Sequence, residues 1–510
     1  MSGSALEDLA STGAALAHWA AELPDDPAIT CPSGSRTFGE LEDRINRTAR
    51  ALRRRGLVPG DSVAIALSNR AEYAEVVHAC LRTGLRYTPV NWHLTADEIA
   101  YIVDDCEANA LIGDVVAADS LRPVTRSTPL VTSYLAVGGR LDGFESYEEA
   151  CGAEDGGLVD GRVLGSRMLY TSGTTGRPKG VVRPPSYSTG LAALTTAPGY
   201  AARSGQRNLC TGPLYHGGPH GYGLTVPLSQ GIGVVLMERW DAATALELIE
   251  QHRITHTHMV PIMFHRLLRL PADVRRAADV SSLQYVLHGA APCPVETKRA
   301  IIDWFGPIVW EYFAATEGAG ASCSSEEWLA HPGTVGRPPT PDHIRILSDG
   351  GTPLAPGEPG EICFRRDEAV TFEYFKDAEK TRSTLRPGGW ASVGDIGYLD
   401  ADGWLFITDR TAEVIVRGGV NIYPAEIEAV LLAHPSVRDA AVIGVPDQEW
   451  GETVTAVVEL EQPVEVEALL AHCRERLAKF KCPTAVDVAE ALPRLDNGKL
   501  YRHQLREAYR

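Results

Sequence analysis

Apolar positions in the first part of the chain follow two different periods. Over residues 38–55, 71–82 and 95–105 they recur at helical spacing, and short apolar runs lie between them at 62–67 and 87–91. A helical period buries one stripe of a cylinder, whereas a strand-length run that is apolar throughout is covered on both sides. Strands separated by helices in this way predict a largely parallel sheet with helices on both faces. A second alternating stretch covers about 205–315, with strands expected at 234–237, 257–259, 285–287 and 309–312. From about 333 to 408 glycine and proline become frequent and the apolar runs shorten, as at 361–364, which predicts a smaller β-rich subdomain.

The end of the chain has another texture. Tyr423-Pro424 opens an amphipathic helix, with proline where the missing N–H costs nothing. Strands are expected at 440–443 and 453–460. A helix over 465–480 places Val466, Leu469, Leu470, Cys473, Leu477 and Phe480 on one face. The resulting expectation is an α/β protein: a large N-terminal domain of layered α/β subdomains plus a β-rich subdomain over residues 1–408, a linking segment at 409–413, and a small α+β domain over 414–510. A chain of 510 residues exceeds one ordinary core, in keeping with this division.

Charge narrows the partners. The net charge of −18 argues against nucleic acid, whose phosphates need clustered Lys and Arg. It also repels nucleotides at long range, so any nucleotide must be held by a few local cations, amide groups and a metal ion. Arg50, Arg53, Arg54 and Arg55 read as a solvated helix end. Ten scattered cysteines contain no C-x-x-C pair, which fits buried thiols in a reducing cytoplasm and gives no support to zinc. The N-terminus has no secretory pattern. The apolar stretch 221–237 contains Pro227, Ser229 and Gln230, so no transmembrane segment is expected.

The strongest chemical signal is YTSGTTGRPKG, residues 170–180. Glycines let the backbone approach an anion and turn its N–H groups toward it. Thr171, Ser172, Thr174 and Thr175 add hydroxyls, Gly173 and Gly176 add backbone freedom, and Lys179 adds a point charge. The lysine spacing differs from that of a Walker loop.

With four later segments, this loop resembles the acyl-adenylate-forming superfamily of acyl-CoA synthetases, peptide-synthetase adenylation domains and firefly-type luciferases. The resemblance runs from about residue 15 to 505. It implies that the loop binds ATP phosphates, with Thr174 both catalytic and a metal ligand. FAATE (Phe313, Ala314, Ala315, Thr316, Glu317) is similar to the family's aromatic-Gly-x-Thr-Glu motif, with alanine where glycine is usual. By that likeness Phe313 lies near adenine, Thr316 meets phosphate and Glu317 holds Mg²⁺. The segment His288-Gly289-Ala290-Ala291-Pro292 would run between adenine and the acyl group. Asp395 in GWASVGDIG would bind ribose, Ile407 would line the adenine pocket, and Arg410 would reach ribose or phosphate.

The stretch RTAEVIVRGGVNIYPAEIE, from Arg410 onward, resembles the hinge and thiol-delivery loop. Ala412 stands where the family carries Asp or Lys, and Gly418-Gly419 would face the pantetheine arm. PRLDNGKLYR resembles the C-terminal motif whose lysine serves adenylation, here Lys499. In LYHGGPHGYG, His216 would sit beside the reacting carboxylate. Gly217, Gly218 and Gly289 would widen the acyl pocket for a bulky apolar acid.

The expected reaction is adenylation of a carboxylic acid by ATP with Mg²⁺, then transfer to coenzyme A, which makes it an acid–thiol ligase. Loading of a free-standing carrier protein is the alternative within the superfamily. A non-catalytic nucleotide-binding regulator on the same scaffold is the alternative from another class. The reading leaves a homodimer open.

Overall fold

The computed structural model describes residues 3–171, 178–186, 197, 199–200, 205–348, 350–366, 372–410, 413–417, 420–447, 450–495 and 498–509. Its α/β architecture rests on two eight-stranded sheets. In the first, the strands Arg207–Cys210, Gly233–Leu236, His256–Met259, Tyr285–His288 and Val309–Ala315 pair in parallel. In the second, Ser62–Ala66 pairs in parallel with Arg86–Pro89 and Ala108–Asp114.

Alternation along single strands explains the layering. Val63 and Ile65 enter one apolar cluster, while Ala64 and Ala66 enter another. Successive side chains point to opposite faces, so this strand is covered on both. The first cluster also receives Cys210, Val234 and Leu236 from the other sheet, together with Leu41, Ile45, Tyr73 and Val77 from the helices Phe38–Arg54 and Ala71–Thr83. These helices are thus the shared filling between the two sheets. The first is started by a capping box in which Thr37 and Glu40 satisfy each other's backbone N–H groups.

The arginines closing that helix are not merely solvated, contrary to the expectation from the sequence. Arg50 donates to the carbonyls of Asp155 and Gly157, Arg53 to those of Asp160 and Gly161, and Arg54 and Arg55 pair with Glu154 and Glu145. They fasten the connection that leads to the strand Ser166–Thr171.

A third, mostly antiparallel sheet contains Ile344–Leu347, Gly360–Arg365, Asp395–Leu399 and Leu405–Arg410. A fourth carries the long hairpin Val437–Asp447 with Gly451–Leu460 and its own apolar cluster around Ile427, Leu431 and Leu469. The helix expected over 465–480 ends at Arg476. Leu477 is already extended, and Phe480 is 47 % exposed. The chain must turn there to bring Ala485–Val488 parallel to Gly451–Leu460. Among the described residues no helix is long and apolar enough to cross a membrane. All ten cysteines are free, and no trio of His, Cys, Asp or Glu side chains that could hold a metal is found among the described residues.

Candidate active site

The parallel register lines up Met259 and His288, the last residues of their strands, in one row with Glu311 on the next strand. Ligands of open α/β sheets bind just beyond such ends. Immediately past the row come Val260, the segment 289–292 and the turn that leads to Glu317. Gly289 is buried, while Ala290, Ala291 and Pro292 are exposed. A β-carbon on Gly289 would stand 2.5 Å from the Tyr312 carbonyl oxygen, so only glycine allows this approach. Ala290 follows at φ 68°, a left-handed conformation that is strained for a residue with a β-carbon.

Below the row lies a buried polar group. Lys298 Nζ pairs with Glu311 Oε2 at 2.5 Å and sits 4.8 Å from the centre of the Trp328 ring. His288 Nε2 is 3.5 Å from the same carboxylate. Burial, reinforced by the Lys298 charge, drives the His288 pKa well down, so the imidazole is neutral. Burial pushes Glu311 upward, and Lys298 opposes that shift.

Glu317 ends the turn after the strand Val309–Ala315 and is 7 % exposed. Its Oε1 accepts a hydrogen bond from the Tyr374 hydroxyl at 2.6 Å. The Thr316 carbonyl accepts from Arg183 at 3.3 Å. Phe313 and Ile407 both pack against the apolar cluster of Ala321, Val335, Ile344, Ile346, Ile362 and Leu405. Ile407 lies on the hairpin formed by Asp395–Leu399 and Leu405–Arg410, where Asp395 is paired with Arg410. Asp395 is 4 % exposed. The Arg410 side chain is outside the described residues.

The glycine- and hydroxyl-rich segment is the connection of a β-hairpin: Ser166–Thr171 pairs with Lys179–Val182, Thr171 opposite Lys179. Ser172, Gly173, Thr174, Thr175 and Gly176 lie outside the described residues. Lys179 emerges at the base of the hairpin and pairs with Asp377.

His216 precedes a short helix, Gly217–His220, with its ring 4.7 Å from that of Tyr215. The space attributed to the glycines here is not open. A β-carbon on Gly217 would meet Leu169 at 3.1 Å. One on Gly218 would meet His258 Cε1 at 2.9 Å and the Tyr312 hydroxyl at 3.2 Å. These glycines admit close packing against an aromatic wall of Tyr222, His258 and Tyr312, in which His258 Nε2 and the Tyr312 hydroxyl are 3.0 Å apart. They do not widen a pocket. His220, the second histidine of the motif, is fully buried between Tyr73 and Tyr87, and burial keeps it neutral.

Lys499 stands in a tight turn in which Leu495 N–H donates to the Lys499 carbonyl at 2.8 Å. Arg494 braces the turn by donating to the Gly498 carbonyl at 2.7 Å while its other nitrogens bind Asp439. Gly498 (φ 81°) presses on Ile262 and Val260, where a β-carbon would come within 2.6 Å of Ile262 Cγ2. The Lys499 turn therefore rests at the end of His256–Met259, beside the row of strand ends. Arg502 pairs with both Glu413 and Glu428. Ala412, Gly418 and Gly419 are outside the described residues.

The fourth-sheet region also carries a surface that the sequence pattern did not single out. Trp450 is 46 % and Phe480 47 % exposed. Arg417 lies 5.5 Å from the Trp450 ring centre and donates to the Phe480 carbonyl, and Lys481 lies 5.9 Å from the Phe480 ring. Tyr374 and Asp377 were also missed; nothing in the spacing ties them to Glu317 or Lys179.

Residues 16–375 match the AMP-binding enzyme family, and residues 426–499 match the AMP-binding enzyme C-terminal domain. The chain is 34 % identical to the 2-succinylbenzoate–CoA ligase of Geobacillus kaustophilus over 95 % of each chain. It is 32 % identical to the long-chain-fatty-acid–CoA ligase FadD13 of Mycobacterium tuberculosis over 93 % of each. The solved o-succinylbenzoate CoA synthetase of Bacillus subtilis, in complex with its acyl-adenylate intermediate, superposes with a TM-score of 0.81 at 30 % identity, covering 96 % of this chain and 97 % of that one. The sheets and the matches along nearly the whole length lead to one conclusion: the chain belongs to the AMP-binding enzyme family and is an AMP-forming acid–CoA ligase.

Proposed function

We propose that this ligase activates a carboxylic acid with an apolar body, and that the residues gathered at the strand ends divide the work between adenylate formation and thiolysis. In the first half-reaction a carboxylate oxygen bonds to the α-phosphorus of ATP and the bond to pyrophosphate breaks. In the second, the coenzyme A sulfur bonds to the acyl carbon and AMP leaves. The observation that carries this reading is the docking of the Lys499 turn on Val260 and Ile262, next to the row that leads to Gly289 and Glu317.

Both partners of the first step are anions, so positioning and charge neutralisation supply the catalysis. Lys499 bridges carboxylate and α-phosphate, with His216 beside the carboxylate. Lys179 and the hairpin connection 172–178 take the β- and γ-phosphates. Phe313, Ile407 and the segment 289–292 enclose adenine, while Asp395 and Arg410 hold the ribose. Glu317 is a buried carboxylate whose one oxygen is already fixed by Tyr374. A single carboxylate completed by phosphate oxygens and by Thr174 suits Mg²⁺, which prefers few protein ligands and retains waters. Bound there, the ion would neutralise phosphate charge.

Residues 409–413 serve as the hinge between the segments 1–408 and 414–510, exchanging Lys499 for Gly418 and Gly419 at the site. The exposed aromatics Trp450 and Phe480, flanked by Arg417 and Lys481, offer a stacking platform with cations. Such a surface fits the nucleotide end of coenzyme A better than a folded carrier. The named relatives act on 2-succinylbenzoate, an aromatic acid, and on long-chain fatty acids.

The test is a panel of short, aromatic and long aliphatic acids assayed for ATP-dependent thioester formation, with coenzyme A and with carrier protein as acceptors. Acids with apolar bodies and coenzyme A should give the highest kcat/KM. Preference for acetate, or for the carrier, would refute the reading.

A further inference from the structure

One short corner at the edge of the second sheet touches both charged groups of the phosphate site. The strand Glu373–Tyr374 pairs with Lys179–Val182, Tyr374 opposite Val181, and Phe375 N–H donates to the Gly180 carbonyl at 2.8 Å. The corner is thereby fixed to the strand that carries Lys179. Tyr374 is 7 % exposed, and its ring packs with Val181, Phe364 and Phe372. Its hydroxyl reaches Glu317 Oε1 at 2.6 Å. Three residues on, Asp377 divides its carboxylate. Oδ1 accepts from the Lys380 N–H at 2.8 Å, capping the helix Ala378–Ser383, and Oδ2 pairs with Lys179. The Asp377 side chain is 23 % exposed and that of Lys179 38 %.

The two contacts differ in kind. A buried hydrogen bond to a carboxylate fixes its rotamer and is strong. An ion pair half in water is weak and exchanges readily for a better anion. A triphosphate is such an anion. The Lys179 ammonium offers a point charge that can leave Asp377 without rearrangement of the backbone.

We propose that the Tyr374–Asp377 corner is a positioning element of the phosphate site: Tyr374 holds Glu317 in place, and Asp377 holds Lys179 until a nucleotide phosphate displaces it. This rests on the assignment of Glu317 to the metal and of Lys179 to phosphate. Neither corner residue touches the reacting atoms. Tyr374 acts through Glu317, and Asp377 acts as a competitor for Lys179 that sets nucleotide affinity.

The experiment is equilibrium binding of ATP by calorimetry, with Mg²⁺ and with EDTA, to the whole protein and to Tyr374→Phe, Asp377→Asn and Glu317→Gln. Phenylalanine keeps the buried ring, and asparagine keeps the helix cap; melting curves establish that each variant is folded. Glu317→Gln should lose the enhancement of ATP affinity by Mg²⁺, and Tyr374→Phe should lose about tenfold of it, since a hydrogen bond to a charged group is worth roughly that much. Asp377→Asn should bind ATP about two- to fivefold more tightly in both media, as expected for loss of a partly exposed competing pair. If Tyr374→Phe keeps the full enhancement while Glu317→Gln loses it, the role of Tyr374 is refuted and the metal assignment stands. If Glu317→Gln keeps it, the metal assignment itself falls. Unchanged or weaker ATP binding by Asp377→Asn would refute the exchange.

Discussion

Ala290 adopts φ 68° at the point where the backbone leaves the strand end for the segment 289–292. A β-carbon there costs about 1–2 kcal/mol, and glycine would remove that cost while losing about 0.5–1 kcal/mol to its freer unfolded state. Ala290→Gly should therefore raise the melting temperature of the large unit by about 1–2 °C, measured by calorimetry. At Gly218 the effect is opposite. Valine would drive carbon into His258 and Tyr312, and overpacking of this kind costs about 1–3 kcal/mol. Turnover of short and long acids should fall together in Gly218→Val. A selective loss of large acids would restore the idea that this glycine makes room for substrate. Reading three glycines as empty volume failed because a sequence shows which β-carbons are missing but not which neighbours move into their place.

At the scale of elements, the strand His256–Met259 carries a pH response. Burial lowers His258 to about 4 and His78 to about 3, and drives His220 and His288 well below the ordinary imidazole value. A histidine with a depressed folded pKa binds fewer protons folded than unfolded. Its contribution is intact above the unfolded pKa of about 6.5 and is lost as pH falls toward the folded value. Stability should thus drop between pH 6.5 and 5 by up to about 1.4 kcal/mol per pH unit for each such group. His258→Gln, which keeps a polar group that can hydrogen-bond the Tyr312 hydroxyl, should flatten that slope by about one proton's worth in denaturant titrations at several pH values.

Elements were also the most legible part of the sequence. The helix expected over 38–55 is observed as Phe38–Arg54, and the strand expected over 62–67 as Ser62–Ala66, because period and capping are local properties. The helix over 465–480 overran because its stop is set by a strand that must pair with Gly451–Leu460. The corner at Tyr374 and Asp377 was illegible for the same reason. Its partners Glu317 and Lys179 lie 57 and 198 residues away, and no local pattern encodes such meetings.

For the molecule as a whole, the proposed function depends on what the fourth sheet brings to the strand ends of the first. The platform of Trp450, Phe480 and Arg417 predicts a division of effects. Trp450→Ala should raise KM for coenzyme A roughly tenfold, since stacking on a base is worth about 1–3 kcal/mol, and should leave ATP–pyrophosphate exchange unchanged.

Lys499 rests on the large unit through Gly498, and its motif, unlike Trp450, is legible in the sequence alone. The most direct measurement of the whole account is the pair of half-reactions in Lys499→Ala: acid-dependent ATP–pyrophosphate exchange, and coenzyme A thiolysis of a supplied acyl-adenylate. Exchange should fall about 100- to 1000-fold, the usual cost of removing one preorganised charge contact, while thiolysis proceeds at close to the unmodified rate. Equal loss of both half-reactions, or undiminished exchange, would contradict it.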